Sequence, residues 1–420
     1  MAAQAPGRGG AAGHSIAALS PVQARVAGHI PNYAGQALVK VALYNLTTTT
    51  RWGGVESFVW EIAAQLAARG HEVKIFGGRG NSELVRHSPG VRVRRFPYID
   101  RDLWRKLPLL NRQYTLTKLL ERLSMAPFAL PALITGGFDV VHIQKPYDLP
   151  VGVLGKLSGA KLLFGCHGKD FWMGDRLFVR FVDGAVSASH FNASQVRARY
   201  GISPVVVYNG VDLERFTPDG ARDGEVLAKY GLEAPSLERP ALLYAGRLVR
   251  WKGVEYLIKA LPLVAPKSTV LWIAGEGTYE GTLRELAERL GVAGRVRFLG
   301  KVEQDELAAL YRSCAMLVAT SFVNETFGMA LCEAMACGTA VVASNFGGFK
   351  EVVEAGVTGL LARPQDQGDL AQKINSLLAN PAMAREMGRA GRERVLTTFS
   401  WEAVADRLEE VYGCLVPSST

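Results

Sequence analysis

The chain has 420 residues, 48% of them hydrophobic and 21% charged, which excludes wholesale disorder and points to two or three globular domains. With 45 glycines and 19 prolines it is too poor in both to be fibrous or of low complexity. The net charge of +9 is lopsided: residues 1–200 carry 25 Lys and Arg against 12 Asp and Glu, and residues 201–420 carry 23 against 27, so the N-terminal half suits an anionic partner such as a phosphorylated substrate, a lipid surface or nucleic acid.

In chain order, residues 1–38 are rich in Ala, Gly, Gln, Pro and Ser, hold no acid, and read as a disordered leader. Order is expected to begin with a strand over 38–44. Val55, Phe58, Val59, Ile62, Ala63 and Leu66 then repeat at helical spacing, and Gly70 follows where a left-handed cap residue is favoured. Strands are expected at 72–76, 91–96, 138–142, 161–166, 185–187 and 205–208, with helical patterns between several of them. After a Pro-, Glu- and Gly-bearing stretch over 212–240 the same grammar resumes. Its strands are 241–245, 270–274, 296–299, 316–319 and 340–343. Its helices are 255–264, 282–290, 305–312 and 330–336, and three more close the chain at 369–378, 382–397 and 401–412.

Repeated βα units predict an α/β fold of two Rossmann-like domains, each a parallel sheet covered on both faces. The expected division is a leader 1–38, an N-terminal domain 39–210, a C-terminal domain 211–398 and a last helix 399–414, with the hinge near Asn209, Gly210, Val211 and Asp212. Ligands of such sheets bind beyond the carboxyl ends of the strands, here in a cleft between two sheets. The longest apolar tract, 123–138, is interrupted by Pro127, Pro131, Gly136 and Gly137, so no transmembrane helix is expected. The first 38 residues lack the basic and apolar regions of a secretion signal. Five cysteines without a CxxC pair fit free thiols in a reducing cytosol.

Four constellations fall at strand ends. Arg247 and Lys252, in the run Ala245-Gly246-Arg247-Leu248-Val249-Arg250-Trp251-Lys252-Gly253, could hold a diphosphate, Arg as a fork and Lys as a point charge; the alternative is two solvated loop cations. Glu325 and Glu333 bracket the start of a helix. The amides of Phe327, Gly328 and Met329 there suit anionic oxygens. Glu333 sits among small apolar residues and needs a partner, such as a ribose diol; the alternative is one dipole-favoured acid and one surface acid. Gly53 and Gly54, after Trp52, would let a ligand approach the backbone, or form a plain turn. His167 could hydrogen-bond in the cleft, or be structural, as His142 is more readily taken to be.

Two motifs are set aside. Asp100-Arg101-Asp102 is a D-x-D metal signature lying in a basic segment, and is read as chance. With no His, Cys and Asp cluster at ligand spacing, no essential metal is expected. Gly275-Glu276-Gly277-Thr278-Tyr279-Glu280-Gly281 approaches G-x-G-x-x-G but has one residue too many and an acid that would repel a pyrophosphate. An NAD-dependent oxidoreductase is therefore the weaker rival class. A non-catalytic nucleotide-sugar-binding protein is the other. Nucleic-acid binding lacks any recognisable module.

Over about residues 38–412 the chain resembles glycosyltransferase family 4, retaining enzymes of the GT-B fold that use nucleotide-diphosphate sugars. The resemblance rests on Tyr244-Ala245-Gly246-Arg247 through Lys252-Gly253, on the E-x7-E segment from Glu325 to Glu333 with the Ala-Cys-Gly that follows, and on Val207 to Asp212, Ala274 to Gly277 and Gly347-Gly348 with Glu351, Gly356 and Gly359, all in the family's order. It implies that Arg247 and Lys252 hold the diphosphate, Glu333 the ribose, and Glu325 the vicinity of the donor sugar. Phe327, Gly328 and Met329 would offer amides to sugar hydroxyls and phosphate. Gly54, beside Gly53, would lie near the β-phosphate, His167 would face the transferred sugar, and the backbone at Val302 would receive the base. The last helix would cross back onto the N-terminal domain. The leaving phosphate would take the acceptor's proton, so no separate protein base and no cofactor are implied.

The implied partners are a UDP- or GDP-linked sugar and a glycan or lipid-linked acceptor, in cell-envelope or exopolysaccharide synthesis. The basic segment 101–122, with Trp104 and several leucines, adds an expectation of peripheral contact with an anionic membrane from the cytoplasmic side. Its alternative is an ordinary packed helix with a solvated charged face.

Overall fold

The computed structural model describes residues 38–80, 82–168, 170–220 and 223–416; the leader read over residues 1–38 lies, except for Leu38, outside them. The first sheet contains β1 (Lys40–Tyr44), β2 (Glu72–Gly78), β3 (Val91–Phe96), β4 (Val140–Ile143), β5 (Lys161–Cys166), β6 (Gly184–Ser187) and β7 (Val205–Val206) in the order β3-β2-β1-β4-β5-β6-β7, every pair parallel. Alternate residues of one strand feed opposite faces. Val41 and Leu43 pack with Phe58, Ile62 and Leu66 of the helix Gly54–Ala68. Ala42 and Tyr44 pack with Met125, Ala129 and Leu133 of the helix Tyr114–Ile134. Burial on both faces is why these strands read as continuous apolar runs.

The second sheet contains β8 (Ala241–Ala245), β9 (Val270–Ala274), β10 (Val296–Gly300), β11 (Met316–Ala319), β12 (Val341–Ser344) and β13 (Leu360–Ala362) in the order β10-β9-β8-β11-β12-β13, again parallel. In both sheets the order reverses beside the first strand, at β1–β4 and β8–β11, where such folds open a crevice. β13 was not among the expected strands; three residues are too few to establish a period.

Two crossings join the lobes side by side. The Val211 amide donates to the Phe399 carbonyl at 2.8 Å, and Val211 bridges Ser400. A Cβ on Gly210 would lie 2.3 Å from the Trp401 ring, so glycine lets the two chain segments touch. The last helix, Trp401–Leu415, returns to the N-terminal sheet and buries Trp401, Val404, Leu408, Val411 and Tyr412 against β1. Its Glu409 meets His71 at 2.7 Å, and its Tyr412 hydroxyl meets His142 Nδ1 at 3.0 Å. His142 is thus a buried structural residue. A further link is made by Glu351, which accepts from the amides of His190 and Phe191, both at 2.7 Å, capping the helix that follows β6. Glu351 itself follows β12, so the carboxyl edges of the two sheets face each other.

The helix Tyr114–Ile134 continues unbroken past Pro127 and Pro131. No described helix is long and apolar enough to cross a membrane. Asp100 of the D-x-D run accepts from the Asp102 amide at 2.8 Å and caps the short helix Arg101–Trp104.

Candidate functional site

β8 ends at Ala245 and releases the Arg247 loop. The Gly246 amide donates to the Ala274 carbonyl at 2.9 Å and the Leu248 amide to Glu276 at 2.8 Å. A Cβ on Gly275 would lie 2.0 Å from the Gly246 carbonyl oxygen, and one on Gly277 would lie 2.1 Å from that of Leu248. These glycines are therefore the seat of the Arg247 loop, a packing role that accounts for them without a dinucleotide. Arg247 and Lys252 both lie by the Trp251 ring, at 5.6 and 4.9 Å from its centroid. Gly253 has φ +70°, and a Cβ there would sit 2.3 Å from the Thr320 carbonyl. Thr320 Oγ1 donates to the Lys252 carbonyl at 2.9 Å. The loop is in this way fixed to the end of β11.

That fixture delivers Lys252 Nζ to Glu325 Oε2 at 2.7 Å, and Ser321 Oγ donates to the same oxygen at 2.8 Å. The two charged side chains are only 20% and 11% exposed, so the pair works in a medium where its attraction outweighs that of a surface pair. An ammonium has three donors, so one bond to Glu325 leaves two for a ligand. Beyond Glu325 the chain is pressed against the turn after β12. A Cβ on Gly347 would lie 2.3 Å from the Glu325 carbonyl, and one on Gly348 2.4 Å from that of Thr326.

Gly328, at φ +118°, precedes the helix Met329–Ala336 and offers no capping side chain. The amides of its first turn, at Met329 and Ala330, have no intrahelical acceptor and point out of the helix end, where the dipole favours an anion. One turn in, Glu333 accepts from the Tyr311 hydroxyl at 2.9 Å. Burial pushes its carboxyl up to about 7, the Tyr311 bond and Arg215 opposing. The Phe327 ring is core, 5.8 Å from Tyr208 and 5.5 Å from Phe399, so only its backbone can serve a ligand. Val302, half-buried, follows β10, whose Gly300 carbonyl accepts from the Gly275 amide at 2.7 Å. The base expectation thus falls on the loop next to the Arg247 seat.

In the other lobe Gly53 precedes the helix Gly54–Ala68. A Cβ on Gly53 would crowd Glu56 Oε2 at 2.5 Å, whereas one on Gly54 meets nothing within 4 Å. Gly54 borders open space. His167 follows β5, its Nε2 at 2.7 Å from Gln144 Oε1 and its ring edge-on to Phe58 at 4.8 Å. Burial, with Lys145 and His142 adding, lowers its pKa to about 3, so the ring is neutral. The C-terminal lobe thus gathers Arg247, Lys252, Glu325, Met329 and Glu333 at the ends of its strands, with Lys252 and Glu325 in direct contact. Phe58 links His167 to the helix that Gly54 begins. Ser321, Tyr311 and Gln144 escaped the sequence reading; a polar residue ending an apolar strand was the available signal for Ser321 and Gln144, and none marked Tyr311.

A profile described as glycosyl transferases group 1 matches residues 233–394, and one described as Glycosyltransferase Family 4 matches residues 52–215. The D-inositol 3-phosphate glycosyltransferase of Geodermatophilus obscurus is 31% identical over 400 residues, covering 86% of this chain and 84% of that protein. This chain belongs to glycosyltransferase family 4. The glycogen synthase of Mycobacterium tuberculosis is 34% identical to this glycosyltransferase over 292 residues, 68% of this chain and 66% of that one. Among solved structures, Anabaena HepE in complex with UDP and glucose superposes with a TM-score of 0.69 at 20% identity, covering 90% of this chain and 100% of that one. The enzyme therefore has the GT-B fold, two Rossmann-like lobes with the last helix returned to the first.

Proposed function

We propose that the enzyme transfers a hexose, with retention, from a UDP- or GDP-linked sugar to a glycan or lipid-linked acceptor at the cytoplasmic face of the membrane, in cell-envelope or exopolysaccharide synthesis. The observation that carries the donor reading is the Lys252–Glu325 pair at 2.7 Å, beside Arg247 and the uncapped helix end at Gly328. Charge grows on the diphosphate as the glycosidic bond to it breaks. Cations and amides held in place by Glu325, Ser321 and Gly253 stabilise that charge without reorganising. Glu333 would take the ribose hydroxyls, and Val302 the base. His167, neutral and held by Gln144, would meet the transferred sugar as a hydrogen-bond partner. The leaving phosphate would receive the acceptor's proton. Among the described residues there is no group of three or more His, Cys, Asp or Glu arranged to hold a metal. HepE is described in complex with UDP-glucose as well as with UDP, which favours the same donor class here.

The test is a thermal-shift panel of UDP, GDP, their hexose conjugates and NAD. A nucleoside diphosphate should raise the melting point in a saturable way, and donor hydrolysis by the purified enzyme separates a catalyst from a mere binder. A panel in which only NAD binds ends the proposal. Membrane contact has its own support: Leu103, Leu107 and Leu109 are 53%, 49% and 89% exposed, among Arg101, Arg105, Lys106 and Arg112. Sedimentation with anionic liposomes should be lost in Leu107→Gln/Leu109→Gln and at high salt.

A further inference from the structure

β4 and β5 end side by side on the edge that carries His167. Lys145 lies just past β4, next in the chain to Gln144, which holds His167; Asp170 lies past β5. Lys118 reaches the same place from the helix Tyr114–Ile134, its ammonium over the Tyr147 ring at 4.9 Å. Both ammonium groups bind one oxygen, Asp170 Oδ2, at 2.7 Å from Lys118 and 3.4 Å from Lys145. The two nitrogens therefore lie within about 6 Å of each other.

Ion pairing here is uneven, the charge of Glu56 acting on Lys145 only from beyond ion-pair distance. Lys118 and Lys145 are only 12% and 18% exposed, and among the described residues Asp170 is the only carboxylate either one pairs with. Arg122 and Asp148, deeper in the lobe, neutralise each other at 2.5 Å. Two sheltered cations thus share one acid that is itself 41% exposed. Sheltering a cation short of a full partner is costly, and burial lowers the Lys145 pKa accordingly. Asp170 can turn out into water cheaply; the lysines cannot. Two ammonium groups at this separation can each donate a charge-assisted bond of about 2.8 Å to different oxygens of one phosphate.

We infer that Lys118 and Lys145 form a binding subsite for the phosphate of a phosphorylated acceptor, with Asp170 holding the lysines until that group displaces it. This rests on the reading above that the donor occupies the lobe of Lys252 and Glu325, which leaves the His167 edge to the acceptor. The anion is recognised as a phosphate monoester, carried either on a small polyol or on a lipid.

The experiment titrates inorganic phosphate into the full-length enzyme already saturated with UDP, so that the diphosphate pocket is filled. Calorimetry should show one saturable millimolar site. Lys118→Gln and Lys145→Gln should each weaken it at least tenfold, and Asp170→Asn should tighten it about threefold by removing the competing carboxylate. That gain cannot come from misfolding. Competition by myo-inositol 3-phosphate assigns the group to a polyol, and competition by phosphatidic acid vesicles assigns it to a lipid. Absent saturable binding, or binding indifferent to all three substitutions, overturns the subsite. Failure of UDP itself to bind would instead strike the donor reading, and the phosphate titration on the UDP-free enzyme would still report on the lysines.

Discussion

Lys252 and Glu325 stand 73 positions apart in the chain and 2.7 Å apart in space. The sequence suggested two separate duties, a phosphate cation and a sugar-side acid, whereas the contact makes Glu325 and Ser321 the holders of Lys252. Lys252→Ala should lower kcat/KM on the order of 10²–10³, as loss of one preorganised donor does, and destabilise the fold by about 1–3 kcal/mol by stranding a buried acid. Full turnover in that variant would refute the assignment. Glu333 supplies a second residue-level prediction. Its folded-state pKa, about 7, lies above the usual 4.5, so the native state binds the extra proton and loses stability as pH rises from about 4.5 through 7. Glu333→Gln should therefore gain about 1–2 kcal/mol at pH 8, after allowing for solvent screening, and little at pH 4.5. Urea melts at both pH values check the sign.

Elements matter here through what their ends can approach. Strand and helix positions were legible because short apolar runs, the alternation in β3 and the period-3.6 pattern are local, and β3, β5, β8, β9 and β11 fall where those signals place them. The glycines between elements were legible as punctuation but not in their purpose. Gly253 has positive φ and would press a Cβ onto the Thr320 carbonyl, whereas Gly54 opens a helix into empty space. Gly253→Ala should cost about 2–4 kcal/mol and displace Lys252. Gly54→Ala should leave the melting temperature within a degree or two, since alanine suits a helix start, while raising the donor KM if the β-phosphate approaches there. Equal stability losses in the two variants would contradict this contrast.

At the scale of the whole molecule, the returning helix Trp401–Leu415 makes the lobes interdependent. Trp401 meets Phe58 at 6.0 Å with the ring planes tilted by 59°, and Phe58 in turn meets His167. Trp401→Ala should destabilise by about 3–5 kcal/mol through the cavity it leaves, and should lower activity further than stability alone explains, because Phe58 loses a support. Proteolysis and steady-state kinetics on the folded fraction separate the two effects. Glu351 adds a second link between the lobes, where its carboxylate caps a helix of the opposite lobe.

Local patterns were enough to establish two βα lobes and the strand ends that precede Arg247, Glu325 and His167, because backbone preference and burial are written within a few neighbouring residues. Partnerships were not written there. Lys252 with Glu325, Lys118 and Lys145 with Asp170, Tyr311 with Glu333 and Gly275 beneath Gly246 each close a long loop. Such closures are set by how sheets and helices stack after collapse, and a stretch of sequence carries no period that records them.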